Sequence, residues 1–236
     1  MPYEQFSRFY DLVMGDRSEA AYFTRALIER HQPAAKTVLE IACGTGAVSG
    51  FLAGTYEVTG LDRSRPMLAL ARKKLPHIHF YRQSMTNFSI AKRFDAIVSV
   101  SDSINHLRSF REWMKVFRRV ALHLQGGGLF VFDMNTVGKL QRLANGPAWS
   151  REFGRDLVVI KVTGGRRGGF DWDVKIFEHE KGSTFRLSHE PIRELAVPHR
   201  RVLAALRDRF KRAKVTDPEG ARPSDHSERL YFVCRK

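Results

Sequence analysis

The chain reads as an α/β protein: a doubly wound, mostly parallel sheet carrying an inserted antiparallel β-sheet. Three observations predict this. Between residues 37 and 136, short apolar runs alternate with helical stretches, as expected for parallel strands buried on both faces. The first of these runs, Val38, Leu39, Ile41 and Ala42, ends in Gly44-Thr45-Gly46, the turn of a strand feeding a helix. Residues 156–195 then change to alternating β-branched and aromatic runs separated by glycines, the pattern of an antiparallel meander.

At 236 residues and 43% hydrophobic content the chain supports a full core. We read one domain over 1–236: a helical cap (1–33), a core (34–150), an inserted sheet (151–195), and a last helix with C-terminal strands (196–236). No apolar run reaches the roughly 18 residues needed to span a bilayer, so no membrane partner is expected. The polar N-terminus is unlike a signal peptide. Cys43 and Cys234 are the only cysteines, which implies neither a disulfide framework nor a zinc cluster. A reducing, cytoplasmic home and no metal follow. The net charge of +15 is spread over both halves of the chain. It raises nucleic acid as a partner, but a generally basic surface is preferred, since no aromatic-interleaved basic motif occurs. The sequence sets no oligomeric state.

In order, residues 3–31 read as two helices, the second with Tyr22, Phe23 and Ile28 on its apolar side and Pro33 ending it. The first strand follows, with one anomaly: Glu40, a carboxylate that is costly to bury without a cation. The glycines of the turn permit positive φ and close approach of a ligand to bare backbone. The helix after them offers unpaired N–H groups. The second strand, 56–62, ends at Asp62, followed by Arg63. An acid at that tip suits the two hydroxyls of a ribose. A glycine turn, a ribose-binding acid and an extra acid describe a nucleoside carrying positive charge.

At these residues the chain resembles the class I S-adenosylmethionine (SAM)-dependent methyltransferases. The resemblance implies a seven-stranded Rossmann-like sheet with an antiparallel C-terminal strand, and SAM as cofactor. It implies that Glu40 meets the amino group of the methionine part and that Asp62 binds the ribose. Ala42 stands where the family's G-x-G-x-G has its first glycine; Gly44 and Gly46 match the others. Ser84-Met85 stands where the family places an acid for the adenine amino group. Tyr10, then Tyr22, is the candidate to close over the methionine end.

The helix after Asp62 has Ser64 as its cap, Pro66 in its first turn and Met67 turned toward the nucleoside. The third strand is 77–83 and the fourth 94–100. Ser101–Leu107 then lies at the carboxyl edge of the sheet, where open α/β folds bind ligands. His106 is the candidate base, with Tyr10 beside it. Asp102, Asn105 and Asn135 are acceptor-site candidates. An amphipathic helix, 108–124, is broken by the Gly126–Gly128 run before the fifth strand ends near Asn135. The meander, read as three strands, resembles the substrate-covering sheet of sugar-amine and glycine-type N-methyltransferases, which adds His189, Glu190 and Arg193 to the acceptor candidates. A helix at 199–210 and two strands complete the chain.

The expected activity is methyl transfer from SAM to a small-molecule nitrogen or oxygen by in-line displacement. One alternative is a tRNA or RNA methyltransferase using the basic surface, although the N/D-P-P-Y of base-amine methylases is replaced by SDSI. An NAD(P)-dependent oxidoreductase gives Glu40 no role. A non-catalytic SAM-binding protein is the remaining alternative.

Overall fold

The computed structural model describes residues 3–236. The main sheet has seven strands in the order β10-β11-β5-β4-β1-β2-β3. These are β1 (Thr37–Ile41), β2 (Glu57–Asp62), β3 (His79–Arg82), β4 (Phe94–Ser99), β5 (Leu124–Asn135), β10 (Arg212–Thr216) and β11 (Arg229–Arg235). β1 pairs in parallel with β2 and β4. β11 runs antiparallel to both β5 and β10. The expected fold class is the observed one. Among the described residues no helix is long and apolar enough to cross a membrane.

The two-residue period of β1 sorts its side chains. Leu39 and Ile41 join the core covered by α5 (Phe110–His123) and α7 (His199–Arg207). Val38 joins the opposite core, under α2 (Ser18–His31), α3 (Ala47–Leu52) and α4 (Arg65–Lys74). Glu40 shares Val38's face by parity, which delivers a carboxylate beneath α3. The chain direction then reverses at Gly44 (φ 54°) and Gly46 (φ 79°), both left-handed as a tight strand-to-helix turn requires. Ala42 is also left-handed, at φ 57°, although it carries a Cβ.

Two elements went unread in the sequence. A helix, α6 (Val137–Asn145), follows β5, and an extra strand, β6 (Trp149–Phe153), opens the second sheet. That sheet therefore has four strands, not three: β6, β7 (Asp156–Gly164), β8 (Gly169–Lys181) and β9 (Thr184–Leu195), all antiparallel neighbours in sequence order. The Gly126–Gly128 run was expected to break the helix, but α5 already ends at His123 and the glycines lie within β5.

α1 (Ser7–Met14) packs on the second sheet. Phe6 and Phe9 bury themselves against Val158, Val174, Ile176 and Ile192. Glu190, on β9, accepts the backbone N–H groups of Glu4, Gln5 and Phe6 at 2.9–3.1 Å. One carboxylate so satisfies three consecutive backbone donors just ahead of α1. This ties the N-terminal segment down between the two sheets, over the carboxyl edge of the main one.

Candidate methyl-donor and transfer site

A cleft of about 690 Å³, partly open to solvent, runs along that edge. Its walls include Ala42, Gly44, Asp62, Arg63, Met67, Ser84, Met85, Ser101, His106 and Tyr10. Ten of the residues expected from sequence thus converge on one cavity.

Asp62 is fixed at the tip of β2. Its two oxygens accept the N–H of Gly44 at 2.9 Å and of Ser64 at 2.7 Å. Ser64 in turn caps α4 by accepting the Met67 N–H, which turns Met67 into the cleft, almost wholly buried. Burial raises the Asp62 carboxyl above its usual range, against the pull of these hydrogen bonds.

A smaller side chamber opens from the cleft between Tyr10, Arg17, Glu40, Gly44 and Ser101. Glu40 is buried and accepts a hydrogen bond from the Ser49 hydroxyl. Burial pushes its pKa up to about 7, with Asp62 adding to the rise. It has no ion-pair partner among the described residues. Arg17 faces the same chamber, and its Nη2 is buried without a hydrogen-bond partner. A buried carboxylate without an ion pair and a guanidinium with one buried, unpartnered nitrogen in the same chamber are complementary to an amino acid: ammonium to Glu40, carboxylate to Arg17. Arg17 was missed in the sequence, where an arginine beside a Gly-Asp turn carries no signal. Tyr10, pushed up to about 12 by burial, stays protonated beside it.

The candidate transfer centre lies where β4 ends. Ser101 (φ 60°) and Asp102 (φ 54°) are both left-handed, a strained conformation for residues with a Cβ. Asp133 on β5 holds them by accepting both N–H groups, at 2.9 and 2.6 Å. Arg229 on β11 bridges the two acids, 2.7 Å to Asp133 and 2.6 Å to Asp102. Burial works to raise the Asp102 pKa, but Arg229, His106 and Lys139 outweigh it and hold it low. Glu194, buried nearby, is pushed up by burial and by Asp102, which outweigh the opposing pull of Asn135, Lys139 and Arg229.

His106 sits at the end of a 3-10 turn, Ser103–His106. Its Nδ1 lies 3.4 Å from the Arg193 carbonyl, which can only accept, so Nδ1 carries the proton. Nε2 is then the acceptor for the Tyr3 hydroxyl at 3.1 Å. Burial lowers the His106 pKa by more than Asp102 raises it, which keeps the ring neutral near pH 7. The ligand atoms of Asp102, His106 and Glu194 fall within 4.8 Å of one another, and Arg229 already supplies cationic charge to Asp102.

Other expected residues stand elsewhere. Tyr22 lies outside the cleft, 54% exposed, on Phe51 and Arg25; α2 turns Ala21, Thr24 and Ile28 inward, and Tyr22 lies off that stripe. Gly46 shapes the turn against Leu75 and Ala71 without lining the cleft. Asn105 and Asn135 brace the backbone: Asn105 Nδ2 donates to the carbonyls of Asn135 and Leu195, and Asn135 Nδ2 donates to Glu194. His189 faces outward and pairs with Asp173, because strand parity turns Glu190, Ile192 and Glu194 inward instead. Arg193 borders an outer chamber beside His106.

Comparison with known proteins matches this geometry to a family. A methyltransferase-domain model covers residues 38–128. YqeM of Bacillus subtilis, assigned as a methyltransferase, is 30% identical over the whole chain and is covered to 98% of its own length. A Geobacillus sp. protein with the same assignment is 32% identical over 61% of each chain. A dTDP-3-amino-3,6-dideoxy-alpha-D-glucopyranose N,N-dimethyltransferase of Streptomyces fradiae is 34% identical over 55% of this chain and 52% of its own length. The chain thus spans little more than half of the latter. The crystal structure of an S-adenosylmethionine-dependent methyltransferase from Clostridium acetobutylicum superimposes with a TM-score of 0.85, covering 99% of this chain and 98% of that one at 20% identity. With that match to YqeM over its whole length, the chain belongs to the methyltransferases.

Proposed function

We propose that the protein transfers a methyl group from SAM to the amine of a small-molecule acceptor at His106. The observation that carries this reading is the side chamber: Glu40, buried without an ion-pair partner, shares it with Arg17, whose Nη2 is buried without a hydrogen-bond partner. Two acids, Glu40 and Asp62, with pKa values raised by burial, favour a cationic ligand, whose charge would lower both. Asp62 and the Gly44 backbone suit the ribose, and Met67 with Met85 the base. Tyr10 and Arg17 belong with the amino-acid end. Bound there, SAM supplies an already activated methyl on a sulfonium.

The protein's share is then largely orientation, which is worth roughly 7–11 kcal/mol in favourable cases. Asp133 and Arg229 fix the strained 101–102 turn, which aims Ser101 and His106 into the cleft. Nε2 of His106 is the hydrogen-bond acceptor that an incoming amine meets once Tyr3 yields its place. The amine reading draws on relatives named as amino-sugar N,N-dimethyltransferases. The test is release of S-adenosylhomocysteine over a panel of amino sugars, free and nucleotide-linked, with hydroxyl analogues and tRNA alongside. Turnover on an amine supports the reading; turnover confined to hydroxyl compounds or tRNA rejects it.

A further inference from the structure

Outside the inner cleft, past His106, lies a chamber of about 1480 Å³ open to solvent. Five arginines line it: Arg63, Arg108, Arg166, Arg167 and Arg193. They arrive from four separate places: the tip of β2, the segment after the transfer-centre turn, the β7–β8 loop and β9. No acidic side chain lines the chamber. Arg193 has Asp171 at 3.8 Å, with both more than half exposed. The other four form no ion pair among the described residues.

Convergent like charges repel, and the repulsion is offset only when an anion enters. Guanidinium forks match phosphate oxygens two at a time. Arg167 is also held at φ 57° inside the 3-10 turn Arg166–Gly168, which keeps the loop tip in a conformation that residues with a Cβ seldom adopt. Arg63 and His106 line both cavities, so the anion site and the transfer centre are continuous.

We propose that this chamber binds a phosphate or diphosphate group carried by the acceptor, so that the acceptor's anionic end is anchored on the arginines while its amine reaches His106. The proposal rests on the inner cleft being the methyl-donor site, and it narrows the acceptor to a phosphorylated small molecule.

The test is calorimetric titration of the full chain with inorganic pyrophosphate, in the presence and absence of S-adenosylhomocysteine. The variants are the double Arg166→Gln/Arg167→Gln and the single Arg193→Gln, with Lys115→Gln/Arg118→Gln on the outer face of α5 as control. Pyrophosphate should bind, weaken at least tenfold in the double variant, weaken in Arg193→Gln, and stay unchanged in the control. S-adenosylhomocysteine affinity should be the same in all. Failure of pyrophosphate to bind, or equal weakening in the control, overturns the proposal. So does a tRNA that binds through these arginines where pyrophosphate does not. If pyrophosphate binds as stated but S-adenosylhomocysteine does not bind at all, the anion site stands and the donor-site reading beneath it falls.

Discussion

Arg229 stands between two acids that would otherwise repel: its Nη1 donates to Asp133 at 2.7 Å, while its Nη2 reaches Asp102 at 2.6 Å. The C-terminal strand thereby clamps the left-handed turn at Ser101 and Asp102. Arg229→Leu should leave two buried carboxylates unpaired and destabilise the fold by on the order of 3–5 kcal/mol. Urea unfolding measures this. A loss below about 1 kcal/mol, typical of an exposed pair, would show that the clamp carries no weight.

Glu40 couples stability to pH. Its carboxyl titrates near 4.5 in the unfolded chain and at about 7 when buried. The folded state therefore holds the proton more tightly. That stabilisation is complete below pH 4.5, declines as pH rises, and is gone above about 7. The span corresponds to roughly 3 kcal/mol. Glu40→Gln should flatten that part of the stability–pH profile and be more stable than the parent at pH 8. A parallel profile in the two proteins removes the assignment.

The same residue should work oppositely on the cofactor. Glu40→Gln and Asp62→Ala should each weaken SAM binding tenfold or more, about 1.5–3 kcal/mol for a lost charged hydrogen bond. For the parent, affinity should rise with pH through about 7 as Glu40 ionises. Calorimetry at pH 6 and pH 8 reads both effects.

Arg17 is separable from Asp62 by choice of ligand. Arg17→Gln should weaken S-adenosylhomocysteine yet leave 5′-methylthioadenosine, which lacks the amino-acid end, unaffected. Asp62→Ala should weaken both. Equal losses for the two ligands in Arg17→Gln would place that side chain away from the amino acid.

Ala42 keeps a left-handed backbone at φ 57°. Ala42→Gly should relieve that strain and stabilise the protein by about 1 kcal/mol. Thermal melts check it, and a drop in melting temperature counts against the strain.

Much of this site was legible because its signals are local. Glu40, Gly44 and Asp62 lie within 23 residues of chain, and strand parity with turn chemistry fixes their places. Arg17, Tyr3, Asp133 and Arg229 were not legible. Tyr3 meets His106 across 103 positions and Arg229 meets Asp102 across 127, so only the closed fold brings them together. Tyr22 and His189 failed for another reason. Each stands beside an inward-facing stripe, and one step along a helix or strand decides which way a side chain points.

Glu190 grips the chain at residues 4–6, and that short ribbon leads from Tyr3, on His106, to Tyr10 and Arg17 at the donor chamber. Loosening a single carboxylate would uncover both compartments together. Spent donor and methylated product would then depart through one shared gate, and the rate of that gate, rather than of the chemistry, would set the enzyme's tempo.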